Sequence, residues 1–411
     1  MQTFLSMTKK DLFRYDIVRR LIRKEINGTQ AANLLNLSVR QTKRLKASVA
    51  KCGPKGLIHG NRGKASNRRV PQKEKDKIVK LLKRHYYDFK PGFACEKLEE
   101  NHHISRDPKT IRQIMISEKL WEPKTKKNKE THRAWRQRRS SFGEMQQFDG
   151  SYEHWFENRA PECCLLLSVD DATGRITYGM FDYDEGVFPT FDFWRKYIEI
   201  HGKPLSIYVD RFSTYKMTQK TAIENHDLKT QFQRAMEELQ IEPIFAHSPQ
   251  AKGRVENYFK TLQDRLIKEL RLENILTIEQ ANNYLMNKFI PKYNAKFGIE
   301  PRNNSNLHRK LSGKEEKQLP GILSRQTVRV VQNDFTVSFD NQWYQLLPGQ
   351  PATVCKRDSV IVEERINGEI FIKLRNKYLN IIPIEKRTYH RNKKSAQWVI
   401  AASQHTQPIM A

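Results

Sequence analysis

Three carboxylates stand in local contexts that suit metal-dependent chemistry on phosphate esters. Asp149 and Asp210 each follow a short run of strand-forming residues, and Glu256 stands in the first turns of a predicted helix. Magnesium takes oxygen ligands, and a two-metal site needs one bridging carboxylate plus a further ligand for each ion. Three acids are the smallest set that meets this need. The pattern therefore predicts phosphodiester chemistry with two Mg²⁺ ions, for which Mn²⁺ can substitute.

The sequence around these acids predicts the elements that position them. The order βββαβαβα is that of a ribonuclease-H-like α/β domain, which we assign to residues 144–300. If the strands before Asp149 and Asp210 are neighbours, both aspartates emerge at adjacent strand ends and Glu256 faces them from a helix. The predicted elements are strands Met145–Phe148, Cys163–Val169 and Arg175–Phe181, helix Pro189–Ile200, strand Leu205–Val209, helix 229–239, strand Ile241–Ala246 and a helix from Lys252.

Several side chains near Glu256 are candidates for holding DNA against the metals. Lys260 and Gln263 follow Glu256 by four and seven residues, which places all three on one helix face. Lys252 and Arg254, just before Glu256, are predicted DNA contacts as well. The alternative for Lys260 is a solvated lysine on an exposed helix face.

No single strand-end aspartate identifies a site by itself. Asp170, Asp171, Asp182 and Asp184 occupy similar places and are expected to be structural. The set of three acids is more specific, because the third stands where a Pro- and Gly-containing loop opens a helix. A helix N-terminus also stabilises negative charge.

The charge of the chain indicates a polyanionic partner. The net charge is +28 over 411 residues, and residues 1–140 carry 37 Lys and Arg against 13 Asp and Glu. The electrostatic attraction for nucleic acid is therefore expected to be mostly N-terminal.

Residues 1–52 are predicted to form a helix-turn-helix domain. Helical spacing begins at Tyr15, Gly28 is interpreted as a stop signal, and Thr29 and Ser38 are the expected caps of the next two helices. The last of these helices would read the major groove of double-stranded DNA; otherwise it is an ordinary basic, solvated helix. The residues predicted to contact DNA from it are Arg40, Gln41, Lys43 and Arg44.

Two basic segments flank a second helical domain. Residues 53–71 are expected to be an extended arm for the minor groove, or a plain linker, with Arg62, Lys64 and Arg68 on DNA. Residues 123–143 are predicted to be a connector that tracks phosphates through Lys126 and Lys127, or else a solvated charged helix. The domain between them, residues 72–122, is predicted to be helix-turn-helix-like, with helices Lys77–Tyr86, Ala94–Asn101 and Asp107–Leu120.

The C-terminal part is predicted to be a small β-barrel at residues 320–385, followed by a basic tail at 386–411. Turn residues separate the short apolar runs of this region. The predicted strands are Val328–Val331, Thr336–Phe339, Tyr344–Leu347, Ala352–Lys356, Val360–Ile366 and Ile370–Leu374. The whole is thus expected to be a multidomain α+β protein.

The five cysteines and the hydropathy pattern limit the environment. The cysteines form no Cys-x-x-Cys pair and are odd in number, so reduced and mostly buried thiols are expected. No apolar run is long enough to span a membrane, and the N-terminus lacks a signal-peptide core. A cytoplasmic protein without a membrane partner is predicted.

At its three acids the chain resembles a known family. The stretch AHSPQAKGRVENYFKTLQDRL at residues 246–266, with QFDGS around Asp149 and YVD at Asp210, is similar to the integrase-core DDE transposases of bacterial insertion sequences. The resemblance implies end cleavage and strand transfer into target DNA, with Asp149, Asp210 and Glu256 as catalytic, metal-binding residues. It further implies an oligomer, at least a dimer, bound to transposon ends and target DNA.

Two features depart from the commonest pattern of this family. Asp210 and Glu256 are 46 positions apart, which is typical of a subgroup with wider spacing, and helix-turn-helix units replace a His/Cys zinc module. Neither departure affects a predicted ligand. The alternatives are a non-catalytic DNA-binding repressor derived from a transposase and a ribonuclease H or simple endonuclease. The intact set of acids argues against the first, and the large N-terminal region argues against the second.

Overall fold

The structure is a computed structural model in which contacts divide the chain into two compact units. The smaller unit is Met1–Tyr87 with Leu98–Trp121, and the larger is Asp88–Lys97 with Glu122–Ala411. The boundary therefore falls inside the predicted domain 72–122. The structure describes residues 7–58, 69–123, 137–209, 231–245 and 253–384, of which 253–257 are described by their backbone alone.

Three helices form the first cluster of the smaller unit, and each begins with a capping box in which a side chain and a backbone amide satisfy each other. The cap of the second helix is Asn27, whose side chain accepts a hydrogen bond from Gln30 N at 2.9 Å, and not Thr29 as predicted. Gly28 is the first residue of this helix and not a stop signal. Ser38 caps the third helix as predicted. These helices are α1 (Lys9–Ile22), α2 (Gly28–Leu35) and α3 (Val39–Cys52).

The predicted extended arm begins with ordered structure. Gly53–Leu57 forms a 3₁₀ turn against α3, where the Ser48 hydroxyl donates to the Gly56 carbonyl at 2.9 Å. Leu57 is buried in the same core as Ile17 and Val49, so the prediction of an extended arm is wrong for Gly53–Leu57. Burial of this apolar side chain away from water stabilises the fold. Residues 59–68 lie outside the described part.

Three helices follow near the predicted positions. Asp107 caps the last of them by accepting from Lys109 N at 2.7 Å, with Pro108 as its first residue. The apolar side chains Ile78, Leu82, Ile111 and Met115 are buried. The helices are α4 (Gln72–His85), α5 (Pro91–His102) and α6 (Pro108–Ser117).

A five-stranded mixed sheet forms the centre of the larger unit, in the order β4-β3-β2-β5-β6. Strands β2, β3 and β4 are antiparallel, whereas β2, β5 and β6 are parallel. The predicted order βββαβαβα is confirmed for the described elements. They are β2 (Met145–Glu153), β3 (Cys163–Asp170), β4 (Ile176–Asp182), α7 (Val187–His201), β5 (Ser206–Val209), α8 (helical at 231–238), β6 (Glu242–Phe245) and α9 (Gly253–Leu272).

Helices cover both faces of this sheet. Phe148, Leu166 and Ile207 point towards α7 and α8, while Leu165 and Leu167 point towards α9. This alternation is the two-residue period of strands buried on both faces. Further helices on the α9 side are α10 (Ile278–Tyr284) and α11 (Ile290–Phe297), joined by a π-helical turn at Leu285–Phe289.

Two asparagine side chains form hydrogen bonds with backbone groups on the outer edge of β4. The Asn282 side chain accepts from Phe181 N at 2.6 Å and donates to its carbonyl at 3.0 Å. Asn294 makes the same pair of bonds to Ile176 at 2.8 and 2.7 Å. An edge strand otherwise presents unpaired backbone groups to other chains.

The connection to the C-terminal domain is tied to the sheet domain. The short strands β1 (Ser141–Phe142) and β7 (Asn303–Asn306) are parallel neighbours. Helix α12 (Gly313–Ile322) begins with a capping box between Ser312 and Glu315 and packs Leu319 and Ile322 into the α7 side of the core.

The described strands of the predicted small β-barrel do not show a closed barrel. The described strands form a three-stranded sheet, β14-β10-β9, and a four-stranded sheet, β13-β12-β11-β8, which share one apolar core. Around Ala352–Lys356 only Val354 makes a bridge, so this predicted strand is absent from the described fold. The strands are β8 (Arg325–Val330), β9 (Thr336–Phe339), β10 (Gln342–Leu346), β11 (Ser359–Glu364), β12 (Ile370–Leu374), β13 (Lys377–Tyr378) and β14 (Ile381–Ile384).

Two further expectations can be compared with the structure. All five cysteines are free, and Cys95, Cys163 and Cys164 are buried, as predicted. In the described ranges, no helix combines the length and apolar character needed to cross a bilayer. Most of the connector and the tail, residues 124–136 and 385–411, lie outside the described residues.

Candidate active site and DNA-binding surfaces

Asp149 lies in the middle of β2, not at its end as predicted. The strand continues to Glu153 because β3 pairs with it over its full length, with Asp149 opposite Leu167. Phe148 points to the α7 side, so Asp149 and Ser151 face the α9 side, where Asp149 is half-buried. A carboxylate on the central strand thus points towards the helix that carries Glu256.

The pairing of β2 with β5 leads towards Asp210. Gln147 pairs with Tyr208, two residues before Asp149 on one strand and two residues before Asp210 on the other. Strand β5 ends at Val209, and Asp210 itself lies outside the described residues. That the two aspartates are neighbours stays a prediction.

Helix α9 runs against the sheet face that carries Asp149. The Tyr258 hydroxyl donates to the Gly174 carbonyl at 3.1 Å, and the Gln263 side-chain nitrogen lies 3.5 Å from the Ser151 hydroxyl. Below them, the core-facing side chains of the helix are buried: Phe259, Leu262, Leu266 and Leu270. Glu256 belongs to the first turn of this helix, but its side chain lies outside the description.

The two other predicted contacts on α9 have different surroundings. Lys260 is exposed, as a DNA contact must be. Gln263 is half-buried, and its amide is directed at β2. Its placement suits a residue that joins the helix to the strand, and its contact with DNA stays a prediction.

Asp170 and Asp171, two of the four carboxylates expected to be structural, accept hydrogen bonds from backbone amides. Asp170 accepts hydrogen bonds from Gly143 N at 3.0 Å and Thr173 N at 2.8 Å, and its burial raises its pKa. Asp171 accepts from Arg139 N at 2.8 Å. These bonds hold the turns that border the sheet and leave the two carboxylates committed to backbone groups.

The donor set fits magnesium in its chemistry. Asp149 offers carboxylate oxygens, the ligands that this ion prefers. The nearby thiol of Cys164 is no competitor, because burial and the carboxylates around it raise its pKa and keep it protonated. Among the described residues no group of three His, Cys, Asp or Glu could hold an ion. The side chains of the two other predicted ligands, Asp210 and Glu256, lie outside the described residues.

The exposed face of α3 is suited to DNA. Arg40, Lys43 and Arg44 are exposed, and within the described ranges none of them forms an ion pair. Gln41 is exposed too, but its side-chain oxygen accepts from Ser38 N at 3.2 Å, so only its NH₂ group remains for a base or phosphate.

The other predicted DNA contacts cannot be compared with the structure. Their side chains lie outside the described residues: Arg62, Lys64, Arg68, Lys126, Lys127, Lys252 and Arg254.

Helix α6 carries exposed polar side chains that were not predicted to contact DNA. Lys109, Arg112 and Gln113 are exposed on this helix, and the Arg112 guanidinium lies 4.8 Å from the centre of the Trp121 ring. Their spacing beside the buried Ile111 and Ile114 is the signal that could have identified them.

Two curated proteins are similar to this chain over most of its length. It is 36% identical over 338 residues to the putative transposase y4bF of Sinorhizobium fredii (strain NBRC 101917 / NGR234), spanning 82% of this chain and 73% of that protein. It is 29% identical over 417 aligned positions to the transposase for insertion sequence IS1202 of Streptococcus pneumoniae, spanning 91% and 85%. No protein-family model matches the chain.

Solved structures show weaker likeness. The HTLV-2 integrase catalytic core domain in complex with magnesium (dimeric form) is 20% identical and covers 36% of this chain and 87% of its own, with a TM-score of 0.26. The simian T-cell lymphotropic virus intasome in complex with PP2A regulatory subunit B56 gamma is 15% identical and covers 74% and 100%, with a TM-score of 0.32. Superpositions with scores this low carry no weight for function.

Proposed function

This chain belongs to the DDE transposases with an integrase core, and we propose that it binds the terminal inverted repeats of its insertion sequence, cleaves the element ends and joins them to target DNA. Members of this family act in DNA transposition, recombination and integration by mobile elements. The observation that supports the proposal best is the position of Asp149, half-buried on the central strand and facing α9.

Asp149, Asp210 and Glu256 would hold two Mg²⁺ ions, with Asp149 shared between them. When bound, such ions supply Lewis-acid stabilisation of the attacking and leaving oxygens. The protein contributes a fixed arrangement of carboxylates on a strand, at the end of its neighbour and on a facing helix. Carboxylates that are held in place before DNA binds need no rearrangement during the reaction.

The reaction has two phosphoryl-transfer steps. In the first, water attacks the phosphorus at the element end, the bond to the 3′ oxygen breaks, and a 3′-hydroxyl is released. In the second, that hydroxyl attacks a target phosphodiester, forming one bond and breaking another. No residue of the protein becomes covalently attached to DNA.

The basic N-terminal region would recognise the ends. The exposed cations Arg40, Lys43 and Arg44 on α3 suit base edges and phosphates in a major groove. Pairing of two ends requires an oligomer, at least a dimer. A cytoplasmic location, with the protein on the nucleoid and without a membrane partner, fits this function.

Cleavage of a labelled element end tests the proposal. The wild-type protein should cut it when Mg²⁺ or Mn²⁺ is added, and Asp149→Asn should not, although it should still bind the end. Asp184→Asn is the matched control, because Asp184 is exposed and accepts a local bond from Gly186 N. Metal-independent cutting, or equal rates for Asp149→Asn and the control, would refute the assignment.

A further inference from the structure

A ten-residue segment far from the sheet domain in sequence packs along the outer face of α9. This segment, Asp88–Lys97, clusters with the larger unit. Phe89 and Phe93 are buried and stack with ring centres 4.8 Å apart. The α9 cation Lys268 lies 5.4 Å from the Phe89 ring centre, and Arg265 lies 4.7 Å from that of Phe93. Helix α9 is therefore held between the sheet and this segment.

Glu96 and Arg265 form an ion pair with two hydrogen bonds in this packing. Two parallel bonds join them, at 2.7 and 3.0 Å. Lys296 of α11 also pairs with Glu96, and the Phe297 ring lies on the guanidinium at 5.2 Å. A two-bond pair fixes the orientation of both side chains as well as their distance. This cluster therefore fixes α9 both along its axis and in rotation.

A second, more deeply buried pair supports the same contact. Lys97 and Glu269 are both almost fully buried, with 3.0 Å between nitrogen and oxygen. The Tyr284 hydroxyl donates to the other oxygen of Glu269 at 2.5 Å. Burial of two charges costs free energy that close geometry must offset. Such a pair specifies one arrangement of the segment on the helix.

The far end of α9 is fixed independently. The Arg159 guanidinium, from the turn after β2, donates to the carbonyls of Leu270 at 3.2 Å and Ile275 at 2.9 Å. The described contacts from the segment thus act on the middle and end of the helix. Glu256 lies nine residues before Arg265 on the same helix.

We propose that Glu96 is a positioning residue for end cleavage and joining: through Arg265 it fixes α9, and with it Glu256, against β2. This rests on the proposed function of the site. Glu96 does not touch the reacting atoms. Its effect reaches the metal ligands through the rigid helix, and a displacement of about 1 Å at a reacting group can cost ~100-fold in rate.

The test compares Glu96→Gln with a matched control. Glu199→Gln makes the same chemical change and also removes a bond to an arginine, the exposed 2.8 Å pair with Arg195 within α7, on the opposite face of the sheet from α9. For each full-length protein, three quantities are measured: hydrogen exchange of the α9 amides without metal or DNA, the affinity for an element end, and the cleavage rate across a magnesium series.

In Glu96→Gln, exchange at residues 253–263 should accelerate about tenfold, because a charge-assisted bond that restrains the helix is lost. Cleavage should slow by about tenfold or more, and more Mg²⁺ should be needed for half the maximal rate. End affinity and the control variant should be unchanged. Arg265→Lys keeps the charge but loses the paired bonds, so it should show intermediate values, and it replaces Glu96→Gln if that protein fails to fold.

A purely local, stabilising role gives a different result. Exchange would then accelerate only around residues 264–272, and cleavage below the melting temperature would equal that of the control. Either result overturns the proposal. If the wild-type protein itself does not cleave, the proposed function fails, and the exchange measurement still decides whether Glu96 positions the helix.

Discussion

Gln263 on α9 lies beside Ser151 on β2, with 3.5 Å between the amide nitrogen and the hydroxyl oxygen. Ser151 follows Asp149 by two residues on the same strand face, and Gln263 follows Glu256 by two helical turns. The contact therefore joins the strand and the helix that carry two of the three proposed metal ligands.

Replacing Gln263 by Leu should slow cleavage more than it destabilises the protein. Loss of this long hydrogen bond should lower the free energy of unfolding by no more than about 1 kcal/mol. Chemical denaturation and single-turnover cleavage measure the two effects. Gln233→Leu is the control, because Gln233 is exposed and bonds to Glu237 on the exposed face of α8. Equal cleavage rates for the two variants would show that cleavage does not depend on Gln263.

Acid should weaken the contact between Glu96 and Arg265. Burial alone would raise the pKa of the Glu96 carboxyl, but the bonds from Arg265 and Lys296 outweigh it and lower this pKa to about 2. Since the folded pKa lies below the ordinary 4.5, this stabilisation is complete above pH 4.5 and is lost as the pH falls towards 2. Melting temperatures of the wild-type protein and Glu96→Gln should therefore converge over that range. A difference that does not change with pH would contradict the assignment.

Replacing Asn282 by Ala should expose the edge of β4. Two backbone groups of Phe181 lose their partners, which should cost roughly 1–3 kcal/mol of stability and favour self-association through the strand. Calorimetry and light scattering measure these effects. Asn287→Ala is the matched control on the same side of the sheet, since Asn287 is exposed and bonds to the exposed Asn283. No difference between the two variants would mean that the asparagine pair does not protect the edge.

Replacing Arg44 by Ala should weaken binding to element ends and lower its dependence on salt. Each neutralised phosphate contributes about 0.9 to the slope of log affinity against log salt. Preference for end DNA over random DNA should also fall if Arg44 reaches a base. Arg23→Ala is the control, because Arg23 is exposed but lies 3.8 Å from Glu25. Equal binding curves for both variants would remove Arg44 from the interface.

The order of the central elements could be predicted because it depends on local patterns. Apolar runs with turn residues between them identify strands, and the buried residues Phe259, Leu262 and Leu266 recur at helical spacing along α9. Chain connections in α/β domains then leave few possible sheet orders. The local sequence around Glu256 was informative for the same reason.

The place of Asp149 within β2 could not be predicted from its neighbours. Gly150 to Glu153 lack the apolar pattern of a strand, and they extend β2 only because the buried strand β3 pairs with them. The same limit applies to the C-terminal domain, where strands were recognised but the pairing into two sheets was not. Pairing depends on contacts between distant residues, which local propensity does not encode.

The role of Asp88–Lys97 was missed for a related reason. Glu96 and Lys97 look like ordinary charged residues of a surface helix, and their partners Arg265 and Glu269 are about 170 residues away in the chain. Charged residues are rarely buried unless they are paired. A single sequence does not reveal which pairs form.

The most direct test of the account replaces each proposed ligand by cysteine and compares metals. Mn²⁺ tolerates a thiolate ligand better than Mg²⁺ does, because it is the softer ion. Asp149→Cys, Asp210→Cys and Glu256→Cys should each bind element ends, fail to join them to target DNA in Mg²⁺, and regain part of that activity in Mn²⁺. Asp184→Cys should behave like the wild-type protein in both metals. Wild-type joining in Mg²⁺ by any of the three variants would contradict the claim that these residues hold the catalytic metals.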